Sequence, residues 1–262
     1  MGDLRTLLAG DGLVVAPFVV DALQARVAED AGARAVYVTG FGTAATYGVP
    51  DVGIIGLDEI TANARRIAAA VDVPVVADAD TGYGDVARTV EAHAAAGVSA
   101  LHLEDQVWPK RCGFFAGKEV VPAEEMARAV THAVAAARDT DLVVIARTDA
   151  LQPHGWDEVV GRVRRYRDAG ADLCFVDGLR TRADAEECAE RLGDVPLVYN
   201  GLLPASEVEA LGFRLMLAIA SMLAAFDDTR RRMRALLAGG TLDVDLDLLH
   251  EMARTVGLEE AG

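Results

Sequence analysis

Short, almost wholly apolar runs alternate with longer amphipathic segments along the whole chain, and this alternation constrains the fold more than any other feature. The runs fall at 13–17 (LVVAP), 34–39 (RAVYVT), 73–79 (VPVVADA), 100–104 (ALHLE), 142–147 (LVVIAR), 172–177 (DLCFVD), 196–199 (PLVY) and 214–219 (RLMLAI). Their β-branched content and length are those of strands enclosed on both faces, as in a parallel sheet covered by helices. Helical periodicity follows at 21–31, 57–71, 85–96, 123–138, 156–169, 182–192, 205–211 and 221–238, several stretches being closed by Gly97, Gly170 or Gly193. Eight βα units without a composition break predict one (β/α)8 TIM-type barrel domain over 1–262, with a C-terminal helical extension over 240–262. An open doubly wound sheet would want a glycine-rich dinucleotide turn after its first strand, whereas VVAPFVVDALQ has none and the GFG of 40–42 lacks a third glycine. The extension carries a helix at about 244–256 with apolar Val244, Leu246, Leu248, Leu249, Met252 and Val256. That is more than a solvated tail needs, so it is expected to dock, on another subunit if the extension is exchanged.

In a barrel enzyme the reacting groups stand at the C-terminal ends of the strands. Here those ends carry Tyr37 and Thr39, Asp78 and Asp80, His102 and Glu104, Arg147 and Asp149, Asp177, and Asn200; each pair is spaced i, i+2 and shares one strand face. Ionised carboxylates turned inward from apolar strands are costly unless a cation meets them. Asp51, Asp78, Asp80 and Glu104 are therefore expected to hold a metal, and an all-oxygen donor set selects Mg²⁺ or Mn²⁺. The competing expectation is that these acids cap helices and pair with Lys110, Arg111 and Arg147. The segment EDQVWPKRCGFFAGKEVVP after the fourth strand is long enough to be a lid, and Lys110 and Arg111 would favour the thiolate of Cys112, making it an acid for a substrate carbon. An inert loop thiol is the alternative. His102 shares a face with Glu104 and either meets a substrate oxygen or supports the metal's carboxylates, while Tyr37 serves the site or fills the barrel. The glycine turns TGFG (39–42) and DTGYGD (80–85) would let backbone N–H groups approach an anion. Cys174 and Cys188 fall on core-facing positions, and His93, His132 and His250 fall on helices.

Composition narrows the partners. With 41 acidic against 25 basic side chains, a net charge of −16 excludes nucleic acid and anionic membrane surfaces as natural partners. No apolar stretch reaches the roughly 20 residues that span a bilayer, and the N-terminus shows no leader pattern. A cytoplasmic protein with three free thiols is expected.

The segments VVADADTGYGD, LHLEDQVWPKRCG and ARTDA, in this order and spacing, resemble the isocitrate lyase and phosphoenolpyruvate mutase superfamily, more closely its methylisocitrate lyase-like branch, over about residues 12 to 235. The resemblance implies a Mg²⁺-dependent barrel, commonly a homotetramer (a dimer of dimers) that exchanges its last helix. By position it implies that Asp51, Asp78, Asp80 and Glu104 are direct or water-mediated metal ligands. Tyr37, Thr39 and Gly40 would cradle a 2-oxo acid, Arg147 clamp its carboxylate, and in KRCG Cys112 act as lid acid while Lys110, Arg111 and Gly113 contact the substrate. His102 and Asn200 match lesser substrate positions. Phe114 stands where such lids carry His, Asp177 stands where carbon–carbon lyases carry Glu as a proton relay, and GLLPASEVEALGF after Asn200 lacks the polar, Thr-containing segment that holds distant carboxylates. The expected activity is cleavage of a 2-hydroxy acid, 2-methylisocitrate- or alkylmalate-like, into a 2-oxo acid and a second carboxylic acid. Hydrolysis or decarboxylation of an oxaloacetate-like acid, phosphonate-forming mutase chemistry, and a non-catalytic 2-oxo acid-binding barrel are the alternatives.

Overall fold

The computed structural model of the protein describes residues 3–111, 113 and 117–257. Eight parallel strands close into a barrel in sequence order: β1 (Val14–Val19), β2 (Val36–Val38), β3 (Val75–Asp78), β4 (Ala100–Glu104), β5 (Val143–Thr148), β6 (Leu173–Val176), β7 (Leu197–Asn200) and β8 (Leu215–Ala218). Closure comes from β1 pairing with β2 on one side and β8 on the other, with Phe18 opposite Tyr37 and Val14 opposite Leu215. Every strand therefore has two neighbours, and its C-terminal end opens on a common mouth.

The period of two along each strand sorts the apolar residues into two layers. Val14, Ala16, Phe18, Val143, Ile145, Leu173, Phe175, Leu215 and Leu217 point inward and fill the barrel. Val144, Ala146, Cys174 and Val176 point outward and meet the helices through Ile67, Val130, Val163 and Cys188. Both cysteines are buried as expected, and burial pushes each thiol up to about 12.

The expected helices are all present: α2 (Ala22–Asp30), α4 (Leu57–Ala68), α5 (Val86–Ala95), α6 (Ala123–Ala136), α8 (Trp156–Asp168), α9 (Arg182–Leu192), α10 (Ala205–Ala210) and α11 (Ala220–Leu237). Local chemistry starts and stops them. Asp21 and Asp85 accept the N–H groups of Gln24 and Arg88 at the starts of α2 and α5. Thr181 and Asp184 form a reciprocal capping box on α9. Past α8, Gly170 turns the chain with φ +103°, a conformation that side chains with a Cβ rarely adopt.

Three further helices were not foreseen. α1 (Leu4–Ala9), started by an Asp3 cap, seals the bottom of the barrel by packing Leu4 against the inward layer. α3 (Gly40–Thr46) replaces the glycine turn expected at 39–42. Glycine lowers helix propensity, but Thr39 caps this helix, and a Cβ on Gly42 would come within 2.7 Å of Val20. α7 (Leu151–His154) is a single turn inside an expected loop.

The C-terminal helices are lightly docked. Ser221 of α11 donates to the Phe18 carbonyl at 3.0 Å and Met222 is buried, but Phe226, Met233 and Leu237 farther along are exposed. α12 (Asp247–Thr255) rests on α2, where Arg26 donates to the Thr255 carbonyl at 3.0 Å, and it leaves Leu246, Leu248 and Leu249 exposed. Among the described residues no helix is long and apolar enough to cross a membrane.

Candidate active site

A cavity of about 30 Å³ lies at the barrel mouth, lined by Phe18, Tyr37, Thr39, Phe41, Asp51, Asp78, Glu104, Lys110, Gly113, Arg147, Asp177 and Asn200. Strand register brings these together from distant parts of the chain. Asp78 lies opposite His102, and Glu104 opposite Arg147, so Asp78, Glu104 and Arg147 face one space with His102 a layer below. Asp80 lies immediately behind, buried, with its backbone at φ 46°.

The acids are held apart by specific donors. Asp78 accepts the N–H of Gly40 at 3.1 Å and that of Asp80 at 3.0 Å. Gly40 must stay small there, because a Cβ would sit 2.7 Å from the Asp78 carboxylate. Lys110 pairs with Asp51 and, at 2.7 Å, with Asp80. Burial alone would raise Asp78, but the charges of Lys110, Arg147 and of His102, which is protonated in the acid range where Asp78 titrates, bring it down to about 2. Asp80 is pushed up to about 6 by burial and by Asp78, with Lys110 opposing. Burial holds Glu104 well above its usual value despite Arg147. Burial also works against the charge on Lys110, yet the surrounding acids keep its proton bound.

This distribution fits a hard cation. Among the described residues, Asp51, Asp78, Asp80, Glu104, Asp149 and Asp177 surround Lys110, Lys118 and Arg147, leaving an excess of acidic side chains in a buried space. Among the described residues Glu104 Oε1 is buried and has no hydrogen-bond partner, while its Oε2 lies 3.3 Å from Arg147. Asp80 Oδ1 likewise has an ion contact with Lys110 but no aligned hydrogen bond. Among the described residues no three acidic, histidine or cysteine side chains close to direct coordination distance, since the Lys110 ammonium stands between Asp51 and Asp80. The donor set therefore suits a hydrated magnesium-type ion held partly through water.

Tyr37 and His102 form a buried pair, with Tyr37 Oη 2.7 Å from His102 Nε2 and the rings stacked at 5.7 Å. Burial takes His102 down to about 4, so the imidazole is neutral near pH 7. His102 supports Tyr37 from beneath and does not line the cavity. On the opposite wall, Asp149 accepts Arg147 Nε at 2.9 Å and Nη2 at 3.0 Å. Lys118 donates to Asp149 at 2.8 Å, to Asp177 at 2.7 Å and to the Gly113 carbonyl at 3.0 Å.

Most of the expected residues are thus gathered at one mouth. Arg111 is not: its side chain is exposed, and its backbone N–H is taken by Gln106 at 2.9 Å. Cys112 and Phe114 lie outside the described residues. The competing expectation of a salt-bridge network holds for Lys110 and Arg147, which pair with the acids without using up Glu104 Oε1. Lys118 and the role of Asp149 were missed. Asp149 sits i+2 from Arg147 and was visible as a strand-end acid, whereas Lys118, one lysine in a loop, gave no periodic signal.

A family model for phosphoenolpyruvate phosphomutase matches residues 4–237. The chain is 40% identical over 230 residues to a probable 2-methylisocitrate lyase of Corynebacterium glutamicum, covering 84% of this chain and 75% of that protein. It is 40% identical over 222 residues to the 2,3-dimethylmalate lyase of Eubacterium barkeri, covering 81% and 77%. Among solved structures, oxaloacetate acetylhydrolase with 3,3-difluorooxalacetate superposes with a TM-score of 0.93 at 38% identity, covering 99% of this chain and 93% of that one. Phosphonopyruvate hydrolase in complex with oxalate and Mg²⁺ superposes with a TM-score of 0.87 at 31% identity, covering 99% and 95%.

Proposed function

Because the chain belongs to the phosphoenolpyruvate phosphomutase family, within the isocitrate lyase and phosphoenolpyruvate mutase superfamily and on its methylisocitrate lyase-like side, we propose that it is a magnesium-dependent carbon–carbon lyase. Its substrate is a 2-hydroxy acid of the alkylmalate or 2-methylisocitrate kind, cleaved to a 2-oxo acid and a second carboxylic acid. The observation that carries this is the acid-ringed cavity, with Glu104 Oε1 unpartnered and Arg147 beside it, opening outward onto apolar space. That outer cavity, about 420 Å³, shares Phe41, Gly113, Asp177 and Asn200 with the inner one and is walled by Leu179, Leu202, Ile219 and Leu223. It suits a substituent richer in carbon than in charge, in line with the apolar GLLP segment after Asn200.

Asp51, Asp78, Asp80 and Glu104 would hold the ion, which when bound supplies Lewis acidity toward the hydroxyl and carboxylate oxygens of the substrate. Arg147, fixed from behind by Asp149, presents its remaining N–H groups to the substrate carboxylate. Thr39, Gly40 and Tyr37 shape the floor under the 2-oxo acid portion, and Tyr37 is oriented by His102. The hydroxyl proton passes to the Asp177 carboxylate as its oxygen becomes the 2-oxo group, the bond between that carbon and its neighbour breaks, and the neighbour keeps the electron pair and takes a proton from Cys112, which follows the cationic Lys110 and Arg111 in the chain. Asp177 relays protons at the rim. The exposed apolar faces of α11 and α12, and the apolar groove of about 750 Å³ lined by Leu13, Val15, Leu23 and Val27, support assembly of several copies through the C-terminal extension.

NMR of reaction mixtures with Mg²⁺ tests the assignment. From 2,3-dimethylmalate it requires pyruvate and propionate in equal amounts; no cleavage of that acid or of 2-methylisocitrate removes it. A second activity, hydrolysis of oxaloacetate to oxalate and acetate, is favoured by the superposition with oxaloacetate acetylhydrolase and would appear in the same spectra.

A further inference from the structure

Among the described residues, Lys118 is a buried charged group beside the mouth whose work is not explained by metal or substrate binding. Its side chain is 2% exposed, and its three N–H bonds go to three separate elements: the Gly113 carbonyl, Asp149 at the end of β5, and Asp177 after β6. An ammonium has three protons, so none is left for a ligand. Asp177 is shared between two cations. Its Oδ2 lies 2.7 Å from Lys118 Nζ, while Oδ1 stands 3.5 Å from Arg147 Nη2, longer than a good hydrogen bond. Gly113 occupies the gap between them, where a Cβ would meet Arg147 at 2.5 Å and Asp177 at 2.8 Å.

We propose that Lys118 is a positioning residue that keeps Arg147 available: by holding Asp177 through Oδ2 and Gly113 through its carbonyl, it stops the Asp177 carboxylate from closing on the guanidinium. Arg147 already gives Nε and Nη2 to Asp149, so its outward edge is what remains for a substrate carboxylate. Glu104 Oε2 already stands 3.3 Å from Nη1, and without Lys118 the strong acceptor nearest the second hydrogen of Nη2 is Asp177. A carboxylate and a guanidinium at this depth pair bidentately when nothing competes, and the pair would occupy the position of the ligand. The same ammonium pairs with Asp149, so Asp149 and Asp177 are both met by cations and a further carboxylate near Arg147 meets less repulsion.

This inference rests on the proposed carboxylate-binding role of Arg147, and its test separates the two. The probe is oxalate, a two-carbon dianion, titrated calorimetrically into the full chain with Mg²⁺ present. Lys118→Met should weaken oxalate about ten-fold or more, and adding Asp177→Asn to it should restore affinity to that of Asp177→Asn alone, because the competing charge is gone. Lys118→Arg, which keeps the charge on Asp177, should bind within about three-fold of wild type. A merely structural lysine would shift the melting temperature of the folded variants while leaving their oxalate affinity unchanged. If Lys118→Met binds oxalate normally, or if Asp177→Asn gives no rescue, the inference is overturned while the site stands. Should Lys118→Met not fold, the double variant decides: equality with Asp177→Asn supports the assignment, and affinity about ten-fold weaker overturns it. A wild-type protein that takes up no oxalate overturns the functional proposal itself, and the role of Lys118 with it.

Discussion

Replacing Asp149 by Asn changes almost no volume and removes the charge that anchors the substrate-side wall. Asp149 is fully buried and accepts from Arg147 Nε at 2.9 Å, Arg147 Nη2 at 3.0 Å and Lys118 at 2.8 Å. Asn offers one acceptor oxygen and turns an NH₂ toward one of those donors. Breaking one member of a buried ion network costs about 3–5 kcal/mol, and Glu104 and Asp177, still beside Arg147, place the expected loss near the lower end, about 3 kcal/mol. For a chain of this size that lowers the melting temperature by roughly 5–12 °C. The pH dependence follows from the sign of the shift. Burial opposes the charge on Asp149, but Arg147 and Lys118 outweigh it and hold the carboxyl below its ordinary 3.8. A lowered carboxyl contributes stability above its unfolded value and loses it as pH falls toward the folded one. Denaturant unfolding should therefore show the gap between wild type and Asp149→Asn at full width near pH 7, closing below pH 3.8. A gap under about 1 kcal/mol at pH 7, as for an exposed pair, would refute the buried-triangle argument.

Other outcomes follow from the same geometry. Gly40→Ala should cost about 1–3 kcal/mol and weaken magnesium about ten-fold or more, because the new methyl displaces Asp78; calorimetry showing unchanged metal affinity would take Asp78 out of the metal ring. With Cys174 and Cys188 buried and each pushed up to about 12, only Cys112 should react with a thiol reagent in the native protein at mild alkaline pH. Cys112→Ser should abolish the fast phase and lower turnover by orders of magnitude, while oxalate binding persists; unchanged turnover would remove the thiol from the chemistry.

The barrel was legible because its signal is repeated: a strand such as LVVIAR cannot be an amphipathic helix, and eight such runs leave few topologies. The acids were legible because a period of two carries Asp78, Glu104 and Arg147 to one face once the strands are known. What escaped depends on contacts between segments far apart in sequence. α3 runs across glycines because Thr39 caps it and because Val20 and Thr39 leave no room for a Cβ at position 42, a tertiary fact that helix propensity does not contain. Lys118 meets Asp149 and Asp177 across 31 and 59 residues, so nothing local marks it. Arg111 shows the reverse case: its place in KRCG suggested a substrate contact, but Gln106 holds its backbone on both sides and its side chain faces outward.

The account depends on a divalent ion gathered by the acid ring and gripping a keto-acid-like dianion, and magnesium titration with and without oxalate addresses that most directly. It predicts one magnesium per chain, tightened by oxalate to the same factor by which magnesium tightens oxalate, with both lost in Asp78→Asn. Oxalate binding that is indifferent to magnesium, or no magnesium uptake under either condition, would contradict it.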